Sequence, residues 1–379
     1  MEGASPTGRQ GPPGPGPPVD PVFILGAERS GSTWMANILG AHPAVDLYME
    51  PFVGRTRLFG AVPDRNAYLA TAGPALVDAV REGFARLPDA KHGLLHRPGR
   101  PAALARLDRA LARAHEALSR RAGRPLSHRV ERYAALNLGA LAAPFRAPAP
   151  PRSGPSVTVV KELRVNFKVA LLAAAFPEAR YVVVLRHPGA QIASVLRHFE
   201  RGRLGELRRS LTALPECLAS CPRLAPYLPE GDPTDPRQDP AAALALWWVA
   251  NYDVLLGDLA ANGLDHRVVL HEDLSADPAG VVPGLLDFCG LAPAPQVDAY
   301  LDASTTRGPA SDSSVDTHRV SRDYAERAVR DVAPALRDTI ARVVRPERLM
   351  AGDAPGLGPH LARYFDPDGG ALRTAVAAG

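Results

Sequence analysis

Arg29, Ser30, Ser32 and Thr33 lie close together, with Gly31 between the serines and Gly26 just upstream. A guanidinium fork, three hydroxyls and two glycines suit a tetrahedral oxyanion: the fork matches its geometry, and glycine lets backbone amides approach it. Val22 to Leu25 reads as a short buried strand, and the residues after Gly31 read as the first turn of a helix. Amides at such a helix start point at phosphate or a similar anion. The alternative is a serine-rich turn without a ligand. Gly26-x4-Gly31 followed by Ser32-Thr33 imitates a nucleotide-binding P-loop, which needs lysine where Ser32 stands. With that lysine missing and Arg29 inside the loop, the motif argues against ordinary ATP hydrolysis.

A nucleotide needs contacts beyond its reactive end, and a second basic motif follows the apolar run Tyr181 to Leu185. Arg186-His187-Pro188 ends that strand, and Gln191 to Arg197 reads as helix, with the proline suited to its first turn. Arg186 stands where a P-loop NTPase would carry its magnesium-organising acid. Both departures point to anion chemistry without a metal.

The two motifs together resemble the sulfotransferases that use 3′-phosphoadenosine 5′-phosphosulfate (PAPS). In that family a loop of the form Lys/Arg-Ser-Gly-Ser/Thr-Thr-Trp holds the 5′-phosphosulfate, and Arg29-Ser30-Gly31-Ser32-Thr33-Trp34 matches it throughout. An arginine at a strand end with a serine eight residues later holds the 3′-phosphate, and Arg186 and Ser194 match. A weaker match, Leu270-His271-Glu272-Asp273-Leu274, has histidine in place of the family's tyrosine, and Asp277-Pro278 after it is also a good helix start. The resemblance spans residues 20 to 290 in outline, and its style is closest to bacterial and carbohydrate-type members.

It implies an α/β fold, a P-loop-like three-layer sandwich with a mostly parallel central sheet and a helical insertion. It also implies transfer of the sulfuryl group of PAPS to a hydroxyl of a sugar or natural-product acceptor, with release of 3′,5′-adenosine bisphosphate (PAP) and no metal. Positioning and charge stabilisation carry most of such a transfer. The acceptor must still lose a proton. Glu50, in Leu47 to Phe52 after the first helix, is the candidate base, with a loop or capping carboxylate as the structural alternative. Members that use a histidine place it where this chain has Leu163, so the glutamate mechanism gains weight. Lys161 is one of three lysines, with Lys91 and Lys168, in an arginine-dominated chain. It is a candidate for stabilising charge on the sulfuryl or leaving phosphate, or it simply ends a strand. Arg164 is a surface arginine or a ligand contact, and Arg307 a candidate for a late basic loop over the nucleotide. His42, His187 and His271 read as turn and strand-end residues. A P-loop phosphotransferase and a catalytically inactive nucleotide-binding module are the alternatives.

These residues need a scaffold. The pattern predicts strands at 21 to 26, 157 to 161, 180 to 186 and 267 to 270, and helices at 32 to 40, 165 to 175, 188 to 199, 241 to 259, 278 to 289 and 322 to 343. Alternation of this kind predicts a parallel sheet with helices on both faces. Residues 1–18 are Gly- and Pro-rich and expected to be disordered; 19–350 form a single domain, and 351–379 a C-terminal extension. An insertion at about 60–150, with helices at 74 to 87 and 101 to 122, is an acceptor-binding cap or a pad over the sheet. A Pro-rich loop is expected near 222 to 240, and a lid at 311 to 324. Trp34, Trp247 and Trp248 are expected in the core.

The 379 residues suffice for a sizeable core. A net charge of +4, spread without aromatic interleaving, gives no support to nucleic-acid binding. Cys217, Cys221 and Cys289 make neither a disulfide framework nor a convincing zinc site, so no metal is expected. No signal sequence or membrane-length apolar run is evident. A cytoplasmic bacterial enzyme acting on a small-molecule or carbohydrate acceptor, without membrane or nucleic-acid partners, is the expectation.

Overall fold

The computed structural model describes residues 21–52, 59–87, 156–202, 204–220, 239–306, 321–351, 356–366 and 371–376. The expected tail, the helix at 101 to 122, Arg307, residues 311–320 of the expected lid and most of the Pro-rich loop lie outside them. Among the described residues the strands are β1 (Val22–Gly26), β2 (Val45–Met49), β3 (Val157–Lys161), β4 (Arg180–Leu185) and β5 (His266–Leu270). They form one sheet in the order β2-β3-β1-β4-β5, every pairing parallel.

The crossovers explain the layers. From central β1 the chain passes through α1 (Ser32–Gly40) to β2, two places along the sheet, and then reverses for every later strand. Right-handed connections running in opposite directions must place their helices on opposite faces. Accordingly α1 and α9 (Pro278–Phe288) cover one face with Trp34, Met35, Ile38, Leu285 and Leu286. The other face carries α2 (Pro74–Ala85), α3 (Val169–Ala175), α4 (Pro188–Glu200) and α7 (Pro240–Ala261). Strand side chains alternate between the two cores: Phe23 and Leu25 face the second, Val22 and Ile24 the first.

The helix α7 is apolar almost all round, as a helix buried within a core must be. Its Trp247 and Trp248 lie in the core, as expected. Phe84 of α2 packs on Phe23 and Phe176 at ring separations of 5.8 and 4.4 Å, so this part of the insertion is a pad on the sheet. Further helices are α5 (Gly205–Thr212), α6 (Leu214–Ser220), α8 (His271–Ala276), α10 (Pro295–Thr306), α11 (Ser321–Arg330), α12 (Pro334–Val344), α13 (Pro346–Met350) and α14 (Gly358–Leu361).

Differences from the sequence expectation have local causes. The strand β2 was not anticipated, because Asp46 and Tyr48 break its apolar run at a sheet edge. The helix expected from 165 begins at Val169, since Asn166 and Lys168 turn inward to bond backbone carbonyls. The helix expected over 322 to 343 is two helices, divided at Ala333-Pro334, where proline starts α12. Leu357, Leu361, Tyr364, Phe365 and Leu372 return the chain to the core.

Candidate active site

Because the sheet is all parallel, its carboxyl ends share one edge, where α/β proteins bind ligands at the reversal of strand order. Arg29 follows β1, Glu50 follows β2, Lys161 closes β3, Arg186 follows β4 and His271 follows β5. The loop after β1 is central, with Glu50 and Lys161 to one side and Arg186 to the other.

That loop is built to receive an anion. Gly31 is the N-cap of α1 at φ 98° and supplies no side-chain cap; Trp34 N turns back to Gly31 O (2.9 Å), and the positive end of the helix dipole faces the loop, where an anion is favoured. A Cβ on Gly31 would lie 2.4 Å from His271 Nδ1, which only glycine avoids. Arg29 also has positive φ, 67°, uncommon for a residue with a side chain. Buried side chains hold this shape. Asn166 donates to Gly26 O (2.9 Å) and to Asn251 Oδ1 (3.0 Å). Gln191 donates to Glu28 O (2.8 Å) and accepts from Trp248 Nε1 (3.1 Å). Tyr252 accepts from Ala27 N (3.3 Å) while donating to Val184 O (3.0 Å). Ser30 Oγ accepts from Ser32 N at 3.4 Å, and Ser32 is buried beside half-buried Thr33. Trp34 is buried and donates to Ser304 Oγ at 3.1 Å.

The two basic motifs converge. Arg29 Nε donates to Ser194 Oγ (3.2 Å), and Arg186 donates through one terminal nitrogen to Arg29 O (2.9 Å). Arg186 is 4% exposed, and its Nε and other terminal nitrogen are buried without a hydrogen-bond partner among the described residues. Leaving a guanidinium so desolvated is costly unless an anion completes it, and a phosphate fits its fork. Ser194, which accepts from Arg29, keeps its own O–H to donate. Glu272 faces Arg186 but gives its oxygens to His187 N (3.1 Å) and the Tyr364 hydroxyl (3.2 Å). Burial, reinforced by Arg186 and Arg29, holds His271 well below the usual imidazole range. His187 bonds through both ring nitrogens, to Ala190 N and Arg373 O, and burial lowers its pKa to about 3. It is a turn residue.

On the other side Lys161, 2% exposed, donates to Glu50, whose side chain is 37% exposed. Burial pushes the Glu50 carboxyl up, but Lys161, with Arg164 and Arg65, brings it below the usual carboxylate value. Glu50 adopts a left-handed backbone (φ 50°), held by its own N–H on Lys161 O (2.7 Å). Strain of this kind costs on the order of 1–3 kcal/mol and gathers at working sites. Arg164 is paired with Glu206 rather than lying loose on the surface.

Sequence reasoning passed over three buried residues. Glu162 accepts from Phe52 N (2.9 Å), Leu163 N (2.8 Å) and Arg164 N (3.2 Å), and burial with the neighbouring Glu50 pushes it up to about 7. Glu28, inside the anion loop, is paired with Arg65. Lys168 Nζ reaches the carbonyls of Asp64, Arg65, Ala67 and Arg164. A carboxylate within an anion loop and the rarity of lysine were readable signals; the partners were not.

Among the described residues no group of three or more His, Cys, Asp or Glu could hold a metal, and no helix is long and apolar enough to cross a membrane. No match was found among curated proteins. Of solved structures, the sulfotransferase domain of the Synechococcus PCC 7002 olefin synthase is 19% identical, over 90% of this chain and 98% of that one, with a TM-score of 0.41. The sulfotransferase domain from the curacin biosynthetic pathway is 16% identical, over 86% and 95%, also at 0.41. The sulfotransferase STF9 from Mycobacterium avium is 16% identical, over 78% and 70%, at 0.36. Residues 21–295, which contain the loop after β1, the Arg186 motif and all five strands, match the sulfotransferase family, an enzyme family whose donor is PAPS, and the chain belongs to it.

Proposed function

We propose that this sulfotransferase transfers the sulfuryl group to an alcohol of a sugar or natural-product acceptor in the bacterial cytoplasm, with Glu50 as general base and no metal. The observation that carries this reading is the Lys161–Glu50 pair beside the anion loop. PAPS, when bound, supplies the activated sulfuryl group. Arg29, Ser30, Gly31, Ser32, Thr33 and Trp34 frame the site for its 5′ end, and Arg186 with Ser194 the site for its 3′-phosphate. Arg307 closing over the nucleotide remains part of the proposal.

The pair suggests how base and charge are coupled. A carboxylate held below its usual pKa is a weak base and takes a proton only from an oxygen already acidified by bonding to sulfur. Once Glu50 is neutral, the Lys161 ammonium loses its counter-charge and is free to stabilise negative charge on the departing side. An alkyl alcohol needs such a positioned base more than a phenol does.

The test combines binding with transfer. Arg186→Ala should lose most of its PAP affinity, whereas Glu50→Gln should bind PAP normally and transfer labelled sulfate poorly across a panel of alcohols, with chelator present throughout. Full turnover by Glu50→Gln removes the base, and absence of PAP binding by the wild-type chain removes the donor assignment.

A further inference from the structure

Glu28 is out of place electrostatically, a carboxylate inside a loop shaped for an anion. It is 9% exposed; one oxygen is paired with Arg65, and the other is buried with no partner among the described residues. A buried carboxylate with a single cationic contact depends on it, because removal of one member of a buried pair leaves an uncompensated charge. Arg65 also donates to Leu163 O at 3.3 Å and lies within charge range of Glu50. One side chain therefore touches the loop after β1 and the turn after β3.

The segment carrying Arg65 is fastened with unusual density. Lys168 donates to Asp64 O at 2.8 Å, to Arg65 O and Ala67 O at 3.1 Å, and to Arg164 O at 3.3 Å. An ammonium has three protons, so all are spent on this turn and its neighbour. Asn66 donates to Ser210 O at 2.7 Å, and Leu69 N to Phe167 O at 2.9 Å. The fastening fixes the stem from which Arg65 reaches Glu28.

We propose that Arg65 is a positioning residue for sulfuryl transfer: by neutralising Glu28 it makes the loop of residues 26–34 receptive to an anionic donor, and by also bonding Leu163 O it locks that loop to the acceptor side. This rests on the donor reading above. Its signature is one of sign. Without Arg65 the unpaired Glu28 charge repels the donor, so removing Glu28 as well should repair binding, which no loss of packing would do.

The probe is PAP, measured by calorimetry well below each variant's melting temperature, with hydrogen exchange of the 26–34 amides followed without ligand. Arg65→Met should weaken PAP roughly tenfold, the size of coupling common between contacting residues. The double variant Glu28→Gln with Arg65→Met should recover to within about threefold of wild type. Arg65→Lys keeps the charge but lacks the fork, so it should fall between them, and it serves if Arg65→Met fails to fold. Exchange of the loop amides should quicken in Arg65→Met. PAP affinity within about twofold of wild type in Arg65→Met, or a double variant as weak as Arg65→Met, overturns the role of Arg65. A wild-type chain that binds no PAP overturns the donor reading, and this role with it.

Discussion

Replacing Lys161 by Met isolates the electrostatics of the proposed base. Lys161 is 2% exposed and Glu50 37%, so the pair sits at the boundary between interior and solvent. Opposite charges about 4 Å apart are worth ~4 kcal/mol at an effective dielectric of about 20. Solvent around the exposed part of Glu50 reduces that by about half, leaving ~2 kcal/mol. In the wild type the pKa of Glu50 lies below 4.5. Without Lys161 burial still pushes it up, while only Arg164 and Arg65 remain to pull it down, so it should rise. The assay is a carboxyl-carbon NMR titration of labelled glutamate, with the Glu50 resonance identified by its absence in Glu50→Gln. Because the base acts deprotonated, activity falls as pH drops through this pKa, and the acid limb of kcat/KM should move to higher pH in Lys161→Met. A wild-type Glu50 titrating at or above 4.5, or one indifferent to the loss of Lys161, refutes the coupling of base and cation.

Gly31→Ala sets a Cβ 2.4 Å from His271 Nδ1 at φ 98°, so it should weaken PAP by more than about tenfold and cost on the order of 1–3 kcal/mol of stability; unchanged PAP binding and melting would contradict the loop geometry. Glu162 offers a pH test. Its pKa is raised to about 7 in the fold from 4.5, so the folded chain holds an extra proton between those values and stability from this group declines as pH rises through that window. Urea unfolding of Glu162→Gln between pH 4.5 and 7 should show a shallower decline than the wild type, and parallel curves would place that proton elsewhere.

The parts legible in sequence were those written in contiguous residues. Val22 to Leu25 followed by Gly26 announces a buried strand and a turn, and Arg29 to Trp34 carries its chemistry in one segment. Arg186 and Ser194 were legible for the same reason, being one strand end and the following helix. Arg65 was not, because its meaning lies in Glu28 and Leu163 O, distant in sequence and close only after the sheet assembles. Lys168 bonds backbone carbonyls, which no side-chain pattern announces. The edge strand β2 escaped because its half-exposed positions tolerate Asp46 and Tyr48, erasing the uninterrupted apolar run that marked the central strands. Proline at 334 was the visible sign that one long amphipathic stretch would be two helices.

The strand order divides the enzyme in a way that matters for its diversification. Residues 26–34 and 186–194, the proposed donor frame, belong to the central strand and one flank, whereas the stretch of sequence between Glu50 and β3 joins the two strands of the other flank. If that stretch meets the acceptor, a new acceptor can be acquired by exchanging one stretch of gene without rewriting a proposed nucleotide contact. The seam such an exchange must respect is the Arg65–Glu28 contact, where the exchangeable part grips the loop after β1.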